Sequence, residues 1–358
     1  MRFESRISVV ACAAMTLAAG CRLTTGDERA GESNVDEKEL IVLAAPRAGD
    51  SYYADVADQI FDFQVAYANA AKMRDDVLVL TDEASYERYA AAIGREHVAV
   101  APMDDIWMRD FSLSNAAAPV MFRYTAAGQG GDQKEADGVQ DGLADLVEGA
   151  GLRFTESDLK NDGGNWVDDG AGNVVVSTKF LKDNKLSEDA AREMLLKLTK
   201  AINIAFIEAD EQGGLEHADG VAAFIATNEI VVNSYPEDAE YAAALRADLE
   251  RGLPRVLIHE IATPYDGDEI YDARFGSACG LYTNMLVTPS RIYFPQFGTP
   301  EDRAALDQLR SWTDKEVIPV RSEKVCRMGG GVRCMSWQLR GIDALRLLAF
   351  AQERRPQP

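Results

Sequence analysis

Short runs rich in β-branched and apolar residues recur along the chain, and between them lie longer segments whose apolar positions fall three and four apart. The short runs predict strands at 40–45, 76–80, 97–101, 120–124, 173–177, 204–208, 230–233, 256–261, 291–294 and 317–320. The longer segments predict helices at 53–72, 85–93, 134–148, 187–201, 236–251, 300–312 and 342–353. Ser187, followed by Glu188, suits the start of one helix, and Pro300 suits a first-turn position in another. Strands and helices alternate without an internal linker rich in Pro, Gly or Ser, so the pattern predicts one α/β domain over 39–358. Periodicity alone does not choose between a doubly wound sheet and another α/β arrangement.

The pattern breaks down at the N-terminus. Arg2 and Arg6 precede an apolar run at 7–19 that is too short to span a bilayer, as in an export signal. Leu17-Ala18-Ala19-Gly20-Cys21 resembles a bacterial lipobox with Cys21 as the lipidated first residue, and ordinary signal cleavage is the alternative. The polar segment at 22–37 reads as a flexible tether. The expectation is a signal peptide over 1–20, a lipidated tether over 21–38 and an exported lipoprotein of the bacterial cell envelope. The membrane would then be touched only through the lipid.

A net charge of -22 argues against a nucleic-acid partner, because a polyanion would be repelled. It favours a cationic ligand, although acidity that serves only solubility reads equally well. Three scattered histidines and no CxxC pair give no metal-ligand spacing, and Met328-Gly329-Gly330-Gly331 is not followed by the lysine of a phosphate-binding loop. No cofactor is expected, and the sequence leaves the oligomeric state open.

Chemistry-bearing residues fall into four clusters. Gly329-Gly330-Gly331-Val332-Arg333 leads into Cys334, where Gly330 and Gly331 would let the backbone approach a flat substrate. His217 and Asp219 stand two apart in Glu216-His217-Ala218-Asp219-Gly220, and a nucleophilic thiol needs such a base with an acid to orient it. Trp107-Met108-Arg109-Asp110 and Asp162-Gly163-Gly164-Asn165-Trp166 complete the set. Each has a plainer reading: an inert buried Cys after a turn, a satisfied His–Asp pair, an ion pair between Asp110 and Arg109, and core positions for Trp107 and Trp166.

Taken in order, the four motifs resemble those of the agmatine deiminase and bacterial peptidylarginine deiminase group of the guanidine-modifying, or pentein, superfamily. The resemblance runs from about 40 to 353. It implies a five-bladed α/β propeller of pseudo-repeated ββαβ units around a central active site. It also implies a cofactor-free hydrolase that converts a guanidinium to a ureido group plus ammonia. Carried over residue by residue, Cys334 is the nucleophile, His217 the acid and base, and Asp110 and Asp219 the carboxylates that hold the planar cation. Asp162 falls where the family has a Glu that orients the His and closes the carboxylate ring; it is one methylene shorter. Gly163 and Gly164 would turn at positive φ and put Asn165 into the pocket, with Trp107 and Trp166 as walls along the substrate's alkyl stem.

Departures from the family pattern are Glu216 for Gly, Arg333 for His, Met335-Ser336 after the nucleophile, and Thr125–Gly131 where agmatine deiminases carry a Trp-containing loop. The expected ligand is a cationic guanidino small molecule or an arginine-containing peptide. The competing readings are a Cys-His-Asp amide hydrolase and a lipid-tethered guanidinium-binding protein without turnover. For the thiols, Cys12 would be removed and Cys21 acylated, leaving Cys279, Cys326 and Cys334. One pair, Cys279 with Cys326, plus a free Cys334 fits that count, and three reduced thiols are the alternative.

Overall fold

The structure, a computed structural model, describes residues 38–116, 118–209, 215–267 and 270–356. The predicted signal, lipidation site and tether lie outside the described residues apart from Lys38.

Five small sheets carry the fold, and four of them share one pattern. A short strand runs antiparallel to a central strand, which pairs in parallel with the strand that follows a helical crossover. The first sheet joins β1 (Leu40–Ala44) to β2 (Asp76–Thr81) and β3 (Val98–Val100) in parallel, and the last strand, β15 (Trp337–Leu339), pairs antiparallel with β1. The second sheet holds only β4 (Val120–Arg123) and β5 (Thr155–Lys160), in parallel, and its antiparallel member is reduced to the single bridge Ser114–Val120. The third is β6 (Val167–Asp168), β7 (Asn173–Ser177) and β8 (Asn203–Ile207). The fourth is β9 (Ala222–Ala226), β10 (Glu229–Asn233) and β11 (Leu257–Ile261). The fifth is β12 (Leu286–Val287), β13 (Arg291–Gln296) and β14 (Glu316–Arg321). Parallel neighbours need a crossover connection, so each parallel pair is separated by a helix rather than a tight turn.

The crossover helices are Ala57–Ala71, Gln133–Gly149, Glu188–Thr199, Ala239–Gly252 and Asp302–Trp312, with Glu83–Ile93 before β3 and Gly341–Glu353 after β15. Ala57–Ala71 buries Ile60, Phe63, Gln64, Tyr67, Ala68 and Ala71, a single stripe at helical spacing. Strand β1 is buried at every position, as expected of a central strand covered on both faces.

All ten predicted strands and seven predicted helices are present, with ends shifted by a few residues. Pro300 is corrected: it lies in the turn ahead of Asp302–Trp312, so it precedes the first turn instead of opening it. Ser187 caps its helix as expected, accepting from Ala190 N–H. The strands missed by the sequence pattern are β5, β6, β9, β12 and β15; the missed helices are the short turns Met108–Phe111 and Lys179–Asn184.

Candidate active site

Each of the five units offers polar residues from the segment leading into its antiparallel strand or bridge. Asp110 precedes the Ser114 bridge, Asp162 and Asn165 precede β6, His217 and Asp219 precede β9, Asn284 precedes β12, and Cys334 precedes β15. Trp107, Asp110, His217, Asp219, Asn284 and Cys334 line one cavity. Apolar Phe275, Leu281 and Met328 also line it, together with Tyr124.

His217 is the hub of the charged network. Its Nε2 bonds Asp162 Oδ2 at 2.9 Å, and its Nδ1 lies 3.6 Å from Asp110 Oδ1. Burial works against protonation of the imidazole, but Asp110, Asp162 and Asp219 outweigh it and hold His217 at about 9. Asp162 is itself fixed by Thr125, whose N–H and hydroxyl each donate to it at 2.8 Å. Burial would raise the Asp162 carboxyl, yet the bonds from His217 and Thr125 keep it below the ordinary value. The shorter side chain therefore reaches His217 directly, and Asp162 stands behind the imidazole without lining the cavity.

The two carboxylates on the cavity wall differ. Asp110 Oδ1 is buried with no hydrogen-bond partner, and burial, helped by Asp162 and Asp219, lifts its carboxyl to about 7. Asp219 Oδ2 accepts from Arg333 Nη1 at 2.8 Å and sits 3.8 Å from Cys334 Sγ. Arg333 reaches past the nucleophile to that carboxylate and donates its Nη2 to Trp166 O at 2.7 Å.

Cys334 is buried and is the one free cysteine among the described residues. Burial first, and then the charges of Asp219 and Asp110, push its thiol well above the ordinary value. Asn284 Nδ2 donates to Sγ at 2.9 Å, a contact that works the other way. Cys279 and Cys326 form a disulfide, which ties the segment bearing Phe275 and Leu281 to the segment bearing Met328 and Cys334.

Several predicted substrate contacts are placed elsewhere. Asn165 does not enter the cavity: its Oδ1 accepts from Ser177 N–H (2.8 Å) and Ala218 N–H (3.3 Å), and its Nδ2 donates to Asn161. It staples the Asp162 turn to the His217 turn. Trp166 is a core residue packed on Phe122 with its indole bonded to Asp168. Gly163 and Gly164 are not at positive φ. They are small because neighbours press on them: a Cβ on Gly164 would lie 2.5 Å from His217 Nδ1 and 2.8 Å from Asp110 Oδ1. Gly330 and Gly331 pack behind the nucleophile, and a Cβ on Gly330 would sit 2.5 Å from Trp107. Gly329, at φ 99°, is the member of the run that lines the cavity. Asn284, Tyr124, Phe275 and Leu281 were missed because no motif surrounds them. Among the described residues, no group of three or more His, Cys, Asp or Glu could hold a metal ion, and no helix is long and apolar enough to cross a membrane.

The family profile described as Porphyromonas-type peptidyl-arginine deiminase matches residues 32–339. A Selenomonas ruminantium sequence assigned as an agmatine deiminase is 25% identical over 317 residues, 75% of this chain and 84% of that one. An Enterococcus faecalis sequence so assigned is 24% identical over 217 residues, 52% of this chain and 58% of that one. Among solved structures, the C. jejuni agmatine deiminase aligns with a TM-score of 0.71 at 16% identity, covering 85% of this chain and 94% of that chain. The Enterococcus faecalis agmatine deiminase aligns at 0.69 and 18%, covering 85% and 94%, so the α/β fold is shared with these proteins. The chain belongs to the Porphyromonas-type peptidyl-arginine deiminase family, and with it to the hydrolases of C–N bonds in linear amidines.

Proposed function

We propose that this protein is a guanidine deiminase that releases ammonia from a guanidinium and leaves a ureido group, through a covalent adduct on Cys334. The observation that carries this reading is the meeting of a buried thiol, an imidazole held at about 9 and an unpartnered carboxylate on one cavity. A guanidinium is planar and permanently charged, and Asp110 Oδ1 is the acceptor left free for it. Binding the cation brings positive charge beside a thiol that burial and the two carboxylates keep protonated, so on substrate binding the thiol gives its proton to solvent and the thiolate forms. The sulfur attacks the central carbon, the C–N bond to the departing nitrogen breaks, and His217 gives its proton to the leaving ammonia. The neutral imidazole then takes a proton from water, which adds to the thiouronium carbon; the C–S bond breaks, returning the thiol and the ureido product.

Trp107, Phe275 and Leu281 suit the alkyl stem of the substrate. Gly128 stands in the cavity wall within the segment that lacks a bulky aromatic, which supports a mouth open enough for an arginine side chain in a peptide as well as for agmatine. We infer further that the five sheets close as propeller blades around the cavity, since every unit sends residues to it or to its supports. We also infer that the chain is exported and anchored by lipid at Cys21, with Cys21→Ser releasing it to the soluble fraction. A binding protein without turnover is the second reading, favoured by the Arg333–Asp219 pair that already occupies one carboxylate.

The test is ammonia and ureido product measured against agmatine, free arginine and an arginine-containing peptide. Wild-type turnover of at least one, abolished in Cys334→Ser with binding retained, is expected. Binding of a guanidino compound without ammonia release by the wild type would select the second reading.

A further inference from the structure

A second cavity shares no lining residue with the first, and its lining has the opposite character. Arg109, Arg333 and Arg340 reach it, with Asn115, Gln338 and the carboxylate of Asp168 among the polar neighbours. Two of the arginines have anionic partners: Arg333 pairs with Asp219, and Arg340 pairs with Glu39. Asp168 is committed to Trp166 Nε1 and Gly170 N–H. Arg109 has no such partner. Only 7% exposed, it donates Nη2 to the neutral Gln338 at 3.1 Å, leaves Nε unpaired, and makes no ion pair among the described residues.

A buried guanidinium without a counter-charge is costly, because the desolvated cation is repaid neither by a carboxylate nor by a full set of acceptors. Burial and the nearby Arg333 lower its proton affinity to about 10, outweighing the pull of Asp219, which Arg333 already engages. The main chain adds no freedom to escape, since Arg109 N–H is bonded to Cys334 O at 3.0 Å. A cationic substrate would be repelled from this cavity, so it is not a second copy of the active site. Three donors of planar or forked geometry around one pocket instead suit a small acceptor with negative charge.

We propose that the second cavity is an anion site in which a small monoanion, a halide or a carboxylate, lies between Arg109, Arg340 and the outer edge of Arg333. The ligand supplies the counter-charge that the fold withholds from Arg109. Asp168, on the same wall, limits the site to single charge and disfavours phosphate-like dianions.

The purified chain is titrated with sodium chloride, sodium acetate and sodium phosphate at constant ionic strength kept by a bulky sulfonate salt. Melting temperature is read, and for chloride the 35Cl line width as well. The wild type should melt several degrees higher in saturating chloride or acetate, since a ligand bound only to the folded state stabilises it. Whichever of the two saturates at lower concentration identifies a halide or a carboxylate ligand. Arg340→Gln should weaken that binding by roughly tenfold. Arg109→Met should fold without the anion and lose the anion-dependent shift. If that variant does not fold, the line width and melting shift of Arg340→Gln decide alone. An equal shift in wild type and Arg340→Gln, no shift in the wild type, or preference for phosphate would overturn the proposal. None of these readouts needs turnover, so they stand apart from the deiminase assignment.

Discussion

Asp110 and Asp219 face one cavity and are both buried, yet the fold treats them in opposite ways. Asp219 is paired in advance: Arg333 holds it at 2.8 Å. Asp110 keeps one oxygen without a partner, beside an imidazole at 3.6 Å. The first carboxylate is therefore part of the scaffold before any ligand arrives, and the second stores an unmet hydrogen bond that a guanidinium can satisfy. A pocket for a cation needs some acceptors left unsatisfied, and it needs others neutralised so that three buried acids can coexist.

The sharpest way to break this contrast is to neutralise each acid in turn. Asp219→Asn strands a buried arginine and should cost about 3–5 kcal/mol of stability, read by denaturant unfolding. Asp110→Asn removes an unpaired acid and should leave stability nearly unchanged, while guanidinium binding weakens by about 2–5 kcal/mol in calorimetry. If the two variants lose stability equally, the distinction between scaffold and ligand carboxylate is wrong. Adding Arg333→Met to Asp219→Asn should recover much of the lost stability, because the stranded charge is gone.

A pH profile sets Asp110 against the imidazole beside it. On the proposed mechanism Asp110 holds the cation in its ionised form, so kcat/KM should rise as pH passes upward through about 7. On the same mechanism His217 gives its proton to the leaving group, so activity should fall as pH passes through about 9. The expected bell should lose its acid limb in Asp110→Asn, whatever activity remains. A profile flat between pH 6 and 8, on the order of a unit either side of the acid's value, would mean that Asp110 is ionised throughout.

Most of the fold was legible because its central strands and crossover helices are long enough to show a period. The segments that went unread are short or lack contrast. Strands β6 and β12 have two residues each, and β5 reads Thr-Glu-Ser-Asp-Leu-Lys with no apolar face. Those same short strands mark where each unit presents its site residues, which is why Asn284, ahead of β12, was invisible. Its bond to Cys334 crosses 50 positions of chain, and only the folded chain reveals it. The motif residues gave the right turns but not every direction. Cys334, His217, Asp110, Asp219 and Trp107 point into the cavity, while Asn165 and Trp166 turn away to fasten and support it. A motif spacing fixes which turn a residue occupies, and the hydrogen bonds of neighbouring turns decide where its side chain goes.

The smallest expected effect concerns Glu216, which leads into the His217 turn at φ 48°, a left-handed conformation that favours glycine. That is the position where the resemblance to the family expects Gly, and here a side chain is kept in its place. Its carbonyl accepts from Ser177 Oγ and its carboxylate bonds exposed Lys182 at 2.9 Å, so the turn holds its shape despite the residue. Glu216→Gly should relieve about 1 kcal/mol of backbone strain, less whatever the half-exposed ion pair contributes, roughly 0–1 kcal/mol. Glu216→Ala loses the pair and retains the strain, so it should be the less stable of the two by about 1 kcal/mol. Paired thermal melts of these variants read the difference directly. If Glu216→Ala melts above Glu216→Gly, the left-handed turn is not the reason glycine suits this position.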